Sequence, residues 1–441
     1  MLRPSAVAIS LLEAFAAKAL VAQSAPASIA TSIPVRPIGA TVRMSAVTFT
    51  SVQHVRRLSD GRLLVNDPGR HQVLLLDSTL ANPIVVIDSV GGHDNSYGIR
   101  TGGLVPYRGD STIFADASSS TLLIIDASGK IARVMSMPSV SAVTYLTSPT
   151  SYGYPGYSDP FGLVFRMSGP GMKWPTSMPP EGAPEVVLKG EDSVLVVALK
   201  IVTRRVDTLA QLTTGVGQIM KISYNNVNSY STNDLYPVPD DWAVTADGSI
   251  ALLSGREYRL RWINGDGSRT ESPRLPFTWR HNDDDEKARL ADSINAGREK
   301  SYQDRVAAQK KAAAAADSAK KTPPSGRGGP VGDGGPPVPR LPTRPAKIDA
   351  AEIPDYMPAY ERTTGSFRAD ADTNVWIRPR QWKAVTGGPI YDIVNRKGEL
   401  VDRVQLPAGR TLIGFGPRGT VYLVARDAGA TRIEQVRFKD P

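Results

Sequence analysis

A short motif recurs six times along the chain: a turn that contains Asp or Gly, followed by three to six strand-forming residues. The matches are SDGRLLVND (59–67), RGDSTIFAD (108–116), GEDSVLVVA (190–198), ADGSIALLS (246–254), ADTNVWIRP (371–379) and PRGTVYLVA (417–425). Asp-Gly and Asp-Ser favour tight turns, and the apolar runs after them are typical of buried strands. One small sheet cannot bury both of its faces alone, so units of this kind are expected to form an array.

The segments around the motif predict four antiparallel strands in each unit. Further apolar strands that run into polar turns follow it, as in VLLLDSTL (73–80), LLIIDASGK (122–130), IARVMSMP (131–138), LRWINGDGS (260–268), YDIVNRKGE (391–399) and LVDRVQLP (400–407). Six such units predict an all-β, six-bladed propeller. The last unit has only three strands before Pro441, so residues 33–47 are expected to supply its fourth strand and to cover an exposed edge. The alternative is a β-sandwich with a second domain.

Two insertions interrupt the repeats. Residues 280–350 separate blades four and five: an Ala-rich helix with acidic residues at its start and lysines at its end is expected first, and a disordered Pro/Gly-rich linker over 323–345 follows. This insertion could be a flexible lid or a neutral surface element. The propeller then occupies residues 33–279, which form blades one to four with the closing strand, and 351–441, which form blades five and six. A loop over 167–184 is expected between the first two strands of blade three.

Residues 1–27 have the pattern of a signal peptide. Arg3 precedes a mostly apolar run over 6–22, and small residues near Ala22 and Ala27 offer cleavage sites. A short N-terminal helix is the alternative. Export predicts a periplasmic or secreted protein, and no later segment has 18 uninterrupted apolar residues, so no transmembrane span is expected.

The net charge of +9 is spread along the chain without a concentrated basic stripe, which argues against nucleic acid as a partner. The chain contains no cysteine, and this excludes disulfides, thiolate metal sites and a catalytic thiol. We expect a monomer stabilised by its apolar core.

The blade sequence SDGRLLVNDPGRHQVLLLD (59–77) resembles the six-bladed NHL-like propeller family. The later segments DGSRTESPRLPFTW and EIPDYMPAY, with an Asp-rich helix between them, resemble uncharacterised exported bacterial members of that group. The resemblance implies the fold for nearly the whole chain outside the signal and the linker. It says little about function, because this fold hosts lyases, hydrolases and binding proteins.

No standard catalytic signature occurs in the sequence. It contains neither G-x-S-x-G nor H-E-x-x-H, and it lacks the glycine-rich phosphate and dinucleotide motifs. DADTN (370–374) and NGDGS (264–268) begin like calcium-binding loops, but Val375 and Arg269 stand where Gly is needed, so both are predicted to be blade turns. Four histidines are too few for a His-rich metal site, and no metal or other cofactor is predicted.

The loops that enter each inner strand, with the long loop after Arg378, are rich in Tyr, Trp, Arg and Asp. These loops are expected to line one mouth of the central channel, where Tyr, Trp and Arg serve as binding anchors. They could instead pack against one another and plug the channel. The candidate ligand-binding residues are Tyr97, Arg100, Tyr154, Asp240, Asp241, Trp242, Asp355, Tyr356, Tyr360, Arg378 and Trp382.

Two functional hypotheses follow from these patterns. The first is an exported binding or scaffolding protein that uses this face to bind a peptide, a glycan or a protein. The second is a metal-assisted hydrolase or lyase of the lactonase-like type, with Asp240, Asp241, Asp355 and His54 as its only candidate ligands. The sequence does not decide whether the protein is an enzyme.

Overall fold

The structure is a computed structural model. It describes residues 33–89, 96–98, 100, 102–137, 145–147, 153–169, 177–224, 226–232, 236–320, 344–360, 362–363, 365–381, 385–427 and 429–438. The predicted signal peptide, most of the Pro/Gly-rich segment and Trp382 lie outside these residues.

Six antiparallel sheets form the blades of a six-bladed β-propeller, as the repeat predicts. Blade one contains β3 (His54–Arg57), β4 (Leu63–Asp67), β5 (Gln72–Leu76) and β6 (Ile84–Ile87), and blade two contains β7 (Gly103–Pro106), β8 (Thr112–Asp116), β9 (Thr121–Ile125) and β10 (Ile131–Ser136). Blade three contains β11 (Gly156–Ser158), β12 (Gly162–Ser168), β13 (Val186–Lys200), β14 (Arg205–Ser223) and β15 (Asn226–Thr232). Blade four contains β16 (Asp241–Val244), β17 (Ile250–Ser254), β18 (Arg259–Ile263) and β19 (Arg269–Arg274).

The C-terminal part of the chain forms the last two blades. Blade five contains β20 (Phe367–Ala369), β21 (Val375–Ile377), β22 (Ile390–Val394) and β23 (Leu400–Gln405), and blade six contains β24 (Arg410–Gly416), β25 (Thr420–Asp427) and β26 (Ala430–Arg437). The N-terminal strand β2 (Thr41–Met44) pairs antiparallel with β26 and completes blade six, which confirms the predicted closure. A two-residue strand that was not predicted, β1 (Arg36–Pro37), adds parallel to β23.

The recurring Asp of the motif has a direct structural role in the turns. In the turns that follow β3 and β16, the carboxylates of Asp60 and Asp247 accept hydrogen bonds from the backbone N–H two residues further on. Asp370 does the same after β20, and Asp266 after β18, so the two loops that resemble calcium sites are blade turns, as predicted. An Asp side chain that mimics a backbone turn in this way is the physical reason for the motif.

Blade three corrects one prediction. GEDSVLVVA does not form a turn and a second strand: it lies within β13, which is the third strand of the blade. The second strand is β12, so the insertion over 169–185 joins the second and third strands instead of the first two. An irregularity in the β13–β14 register between Glu191 and Ser193 allows the strand to continue through this turn-like sequence.

The apolar core lies between neighbouring blades. Each of six buried clusters combines residues of two adjacent sheets, and together they follow the ring from blade one back to blade six. Trp242, Trp262 and Trp376 are the largest fully buried side chains. Side-chain packing therefore closes the ring, and hydrogen bonding of the strands holds each blade together.

Helix α1 (Asp284–Lys320) follows blade four, as predicted. Its first backbone N–H groups are capped by Asp283, which accepts a hydrogen bond from the Glu286 N–H. The helix packs with Ala291 against Ile348 and Ile353, and it contributes no residue to the lining of the central cavity. Within the described residues, no helix is long and apolar enough to cross a membrane.

Candidate functional site

A cavity of about 440 Å³ occupies the central channel. All six inner strands contribute to its wall, since residues of β3, β7, β11, β16, β20 and β24 line it. The turns that follow four of these strands also line it, through Gly109, Pro160, Gly248 and Ala371. We call the opening formed by these turns the turn-side mouth. It lies at the opposite end of the inner strands from the loops in which the sequence places most of the candidate residues.

The inner end of the cavity holds three side chains from three blades. His54 begins β3, Tyr154 precedes β11, and Arg368 lies in the middle of β20. The Arg368 guanidinium carbon lies 4.1 Å from the centroid of the Tyr154 ring, and the His54 ring stands edge-on to Tyr154 at a centroid distance of 6.2 Å. Of the candidate ligand-binding residues, Tyr154 lines this cavity.

His54 is 6% exposed, and neither of its ring nitrogens has a hydrogen-bond partner. Burial, with a smaller contribution from the positive charge of Arg368, lowers the pKa of His54 to about 3. The imidazole is therefore neutral at neutral pH and presents one unsatisfied N–H donor and one unsatisfied acceptor.

Arginines dominate the charge of the channel wall. Arg56, Arg57 and Arg368 line the cavity, and none of them takes part in an ion pair with a carboxylate among the described residues. The acidic side chains of the wall already have partners: Asp159 pairs with Arg108, and Asp247 pairs with Arg396. The three arginines are therefore free of direct ion pairs, although Asp110 lies near enough to Arg56, and Asp60 to Arg57, to offset part of their charge.

The third acidic residue of the wall, Asp370, is also engaged. Its Oδ2 atom accepts hydrogen bonds from the Asn374 side chain and from Trp376 Nε1, both at 3.1 Å. Burial raises the pKa of this carboxyl, and the hydrogen bonds oppose that effect. Asp370 therefore serves the β20–β21 turn, but its hydrogen-bond donors are neutral, so the ionised carboxylate remains a negative charge of the wall.

A groove of about 460 Å³ continues from the turn-side mouth to the tip of the β13–β14 hairpin. The groove and the channel cavity share four lining residues, which are Tyr107, Arg108, Tyr157 and Asp159. Ile201 and Val202 line its far end, and Val202 is 89% exposed. The two cavities together form a continuous path from a charged channel to an aliphatic hairpin tip.

Arg108 organises the junction between the channel and the groove. It donates a hydrogen bond of 2.8 Å to the Tyr157 hydroxyl, and its guanidinium lies over the rings of Tyr157 and Tyr107 at 5.6 and 5.9 Å from their centroids. The two rings contact each other edge-on, 4.7 Å apart. The Arg108 guanidinium therefore lies over one face of each ring.

Several candidate residues form a buried network beside blade four. The Tyr360 hydroxyl donates a 2.6 Å hydrogen bond to Asp241 Oδ2 and lies 2.7 Å from the Ser366 hydroxyl. Asp241 Oδ1 accepts from the Trp242 N–H, and Trp242 is packed against Gly153. Burial raises the pKa of Asp241 to about 6, although the Tyr360 hydrogen bond opposes this shift. Asp241, Trp242 and Tyr360 are each at most 3% exposed, so this network packs the loop inside the protein.

The remaining candidates are dispersed. Tyr97 is buried between blades one and two, where its hydroxyl donates to Asn66 and accepts from the Gly102 N–H. Asp240 accepts hydrogen bonds from the backbone of Thr213 and Gly255, and burial raises its pKa. Arg100 is exposed, and so is Asp355, which pairs with Lys287. Tyr356, edge-on to His281, and Arg378, within 3.3 Å of the Thr363 hydroxyl, are half-buried. A ligand-binding role for these residues stays a prediction.

The ligands nominated for a metal do not converge. Asp240 and Asp241 are engaged beside blade four, Asp355 pairs with Lys287 at the surface, and His54 lies in the channel. Within the described part of the chain, no group of three or more His, Asp or Glu side chains is arranged to hold a metal ion. The donor set for the lactonase-like alternative is therefore missing from these residues.

The sequence did not single out the arginines of the channel. Arg56 and Arg57 lie in HVRRL, and Arg368 lies in SFRAD, in both cases on the inner strand just before the recurrent turn. This placement is a sequence signal that identifies the three arginines as channel residues. A charged side chain on the inner strand of a propeller blade lies near the channel, and the repeat already identifies this strand.

No protein-family model and no curated protein matches the chain. Solved structures do match. The chain is similar to a catalytically inactive virginiamycin B lyase from Staphylococcus aureus with quinupristin (8% identity, TM-score 0.36, 89% of this chain and 99% of that chain covered) and to the calcium-binding protein regucalcin from Agrobacterium tumefaciens (11%, 0.32, 92% and 99%). It is also similar to a member of the DUF4221 family from Bacteroides vulgatus (8%, 0.41, 91% and 96%). These likenesses concern the fold alone.

Proposed function

We propose that this chain is an exported, monomeric, NHL-like propeller that binds a peptide or protein partner at its turn-side mouth. The observation that carries the proposal is the cluster of Arg56, Arg57 and Arg368, none of them in a direct ion pair, in a channel of about 440 Å³. Cavities of this volume commonly hold ligands. Guanidinium groups without a carboxylate partner favour an anionic group of the ligand.

The groove favours a peptide over a glycan. Sugar rings bind to open aromatic faces, but Arg108 lies over one face of the Tyr107 and Tyr157 rings. The far end of the groove offers Ile201 and the 89% exposed Val202, which suit aliphatic side chains. An extended peptide can place an anionic group in the channel and apolar side chains along the groove.

Retention of peptides tests this function. The full chain is equilibrated with a pool of labelled random decapeptides and, separately, with chito-oligosaccharides, and the retained ligand is measured. We expect the peptide pool to be retained, and we expect the Arg56→Gln variant to retain it about tenfold less, because one charged donor of the channel wall is lost.

The matched control is Arg133→Gln, which removes the same charge from an exposed position on the outer strand β10. It should retain the peptides as the wild type does. Retention of the oligosaccharides alone would assign the mouth to glycans. If both variants lost peptide retention equally, net charge alone would account for the effect.

A further inference from the structure

The inner end of the channel is held in place by contacts from several blades. The Arg368 guanidinium donates hydrogen bonds to the carbonyl oxygens of Leu412 and Ile413, at 3.1 and 3.2 Å, and stacks on the Tyr154 ring. Two of its five N–H groups are used in this way, so three remain for a ligand. Its position is fixed before any ligand arrives, which lowers the entropic cost of binding.

His54 is the third side chain of this arrangement, and it lacks the hydrogen bonds that a buried polar ring usually makes. Buried polar groups in proteins nearly always have a hydrogen-bond partner, yet both ring nitrogens of His54 lack one. The other histidine beside blade one shows the usual situation, since His71 Nδ1 lies 2.9 Å from the Gly98 carbonyl oxygen. His54 lines the cavity, but both of its unpartnered nitrogens are buried in the wall, so a bound group reaches them only when a neighbouring side chain moves.

The charged groups around His54 are mostly cationic. Arg56 lies on the same strand, Arg368 reaches it from blade five, and the Tyr154 ring reaches it from blade three. The other charged residues of the cavity are Arg57, Arg108, Asp159, Asp247 and Asp370, and the three carboxylates are engaged with other partners. An anion that enters here meets more arginines than unpaired carboxylates, since only Asp370 lacks a cationic partner.

We infer that His54, Arg368 and Tyr154 form a subsite for a carboxylate of the peptide partner, and that His54 takes up one proton from solvent when the carboxylate binds. This inference rests on the proposed function and specifies the group that the channel recognises. A carboxylate beside the imidazole stabilises the imidazolium, which then donates to the carboxylate while Arg368 holds it from the other side. A planar monoanion also suits one guanidinium and one imidazolium better than a phosphate dianion does.

The carboxylate could come from a chain terminus or from an acidic side chain, and three pools of acetylated peptides distinguish these sources. The first pool has no acidic residue and a free C-terminal carboxylate. The second has one glutamate and an amidated C-terminus, and the third has neither carboxylate. We expect the full chain to retain the first or the second pool at least tenfold better than the third, and inorganic phosphate to compete poorly.

Proton uptake on binding is measured with the peptide that the protein retains best. A neighbouring carboxylate raises the pKa of an imidazole by about 1–3, so calorimetry at pH 5 in two buffers that differ in ionisation enthalpy should show uptake of part of one proton per bound peptide, and the affinity should rise as the pH falls from 7 to 5. His54→Phe and His54→Gln should both abolish the uptake and weaken binding at least tenfold. The matched control His71→Phe should leave uptake and affinity unchanged.

The outcomes separate the two proposals. Equal retention of all three pools, or proton uptake that persists in both His54 variants, would overturn the carboxylate subsite and leave peptide binding intact. Retention of none of the pools would overturn peptide binding itself. Tighter binding of phosphate than of any peptide would assign the subsite to a different anion.

Discussion

Asp241 and His54 occupy the same place in two blades, since each is the first residue of an inner strand and each is buried. Asp241 is saturated: it accepts hydrogen bonds from Tyr360 and from the Trp242 N–H. His54 has no hydrogen-bond partner for either ring nitrogen. The comparison distinguishes a polar group that the fold uses to fix its own loops from one that it leaves without a partner in the wall of a cavity.

The two groups also respond to pH in opposite ways. Burial lowers the pKa of His54 and raises that of Asp241. Protonation of His54 is therefore resisted in the folded state, and so is ionisation of Asp241. Variants at the two positions test whether the two pKa values shift in opposite directions and whether only His54 lacks a partner within the protein.

Acid should produce the largest difference between the two sites. Because the folded pKa of His54 is about 3 and its ordinary value is 6.5, the stability that it contributes is present above pH 6.5 and is lost as the pH falls toward 3. The maximum slope is about 1.4 kcal/mol per pH unit. The free energy of unfolding of His54→Phe, measured by urea titration, should therefore rise relative to the wild type by several kcal/mol between pH 6.5 and 4. Parallel pH profiles of the two proteins would show that His54 is not neutral in the fold.

Asp241 should show the reverse dependence over a narrower range. Its folded pKa is about 6 against an ordinary 3.8, so its contribution to stability is present below pH 4 and is lost as the pH rises through 6. We expect Asp241→Asn, which keeps an acceptor for Tyr360, to gain about 2 kcal/mol relative to the wild type between pH 4 and 6. Asp355→Asn, at an exposed ion pair, is the control and should leave the profile unchanged. If both variants gained the same free energy of unfolding, burial of Asp241 would not explain the effect.

Tyr360→Phe tests the saturation of the Asp241 site. The change removes the hydroxyl that donates to the buried carboxylate, and we expect it to lower the free energy of unfolding at pH 7 by about 1–3 kcal/mol. Tyr157→Phe is the matched control, because its hydroxyl only accepts a bond from Arg108 near the surface. If both variants lost the same free energy of unfolding in urea titrations, the buried hydrogen bond would stabilise the fold no more than the bond near the surface.

His54→Phe at pH 7 should have the smallest effect on stability. No hydrogen bond is lost, and an unsatisfied polar ring is replaced by an apolar one, so we expect no loss or a gain of up to about 1 kcal/mol. His71→Phe loses the contact to the Gly98 carbonyl and should cost about 0.5–1.5 kcal/mol. A larger loss for His54→Phe than for His71→Phe would reveal a structural partner of His54 and weaken its assignment to a ligand.

Local patterns were sufficient for most of the fold. The recurrent Asp turns and the apolar strands after them predicted six blades, the closing strand and the helix after blade four, because these features depend on turn chemistry and strand burial. Blade three was the exception. A bulge at residues 191–193 allows a Gly-Glu-Asp sequence to remain within a long strand, and only the pairing partner reveals that.

The candidate site was predicted less well, and the reason is physical. Tyr and Trp in loops were expected to line one mouth of the channel, but a sequence does not say whether an aromatic ring faces the channel, as Tyr154 does, or the interior, as Trp242 does. The repeat by itself determined the ring, since each turn and strand follows from neighbouring residues. Only the tertiary structure brought His54, Tyr154 and Arg368 from three blades to one cavity, because contacts between residues 100 and 214 positions apart depend on how the ring closes.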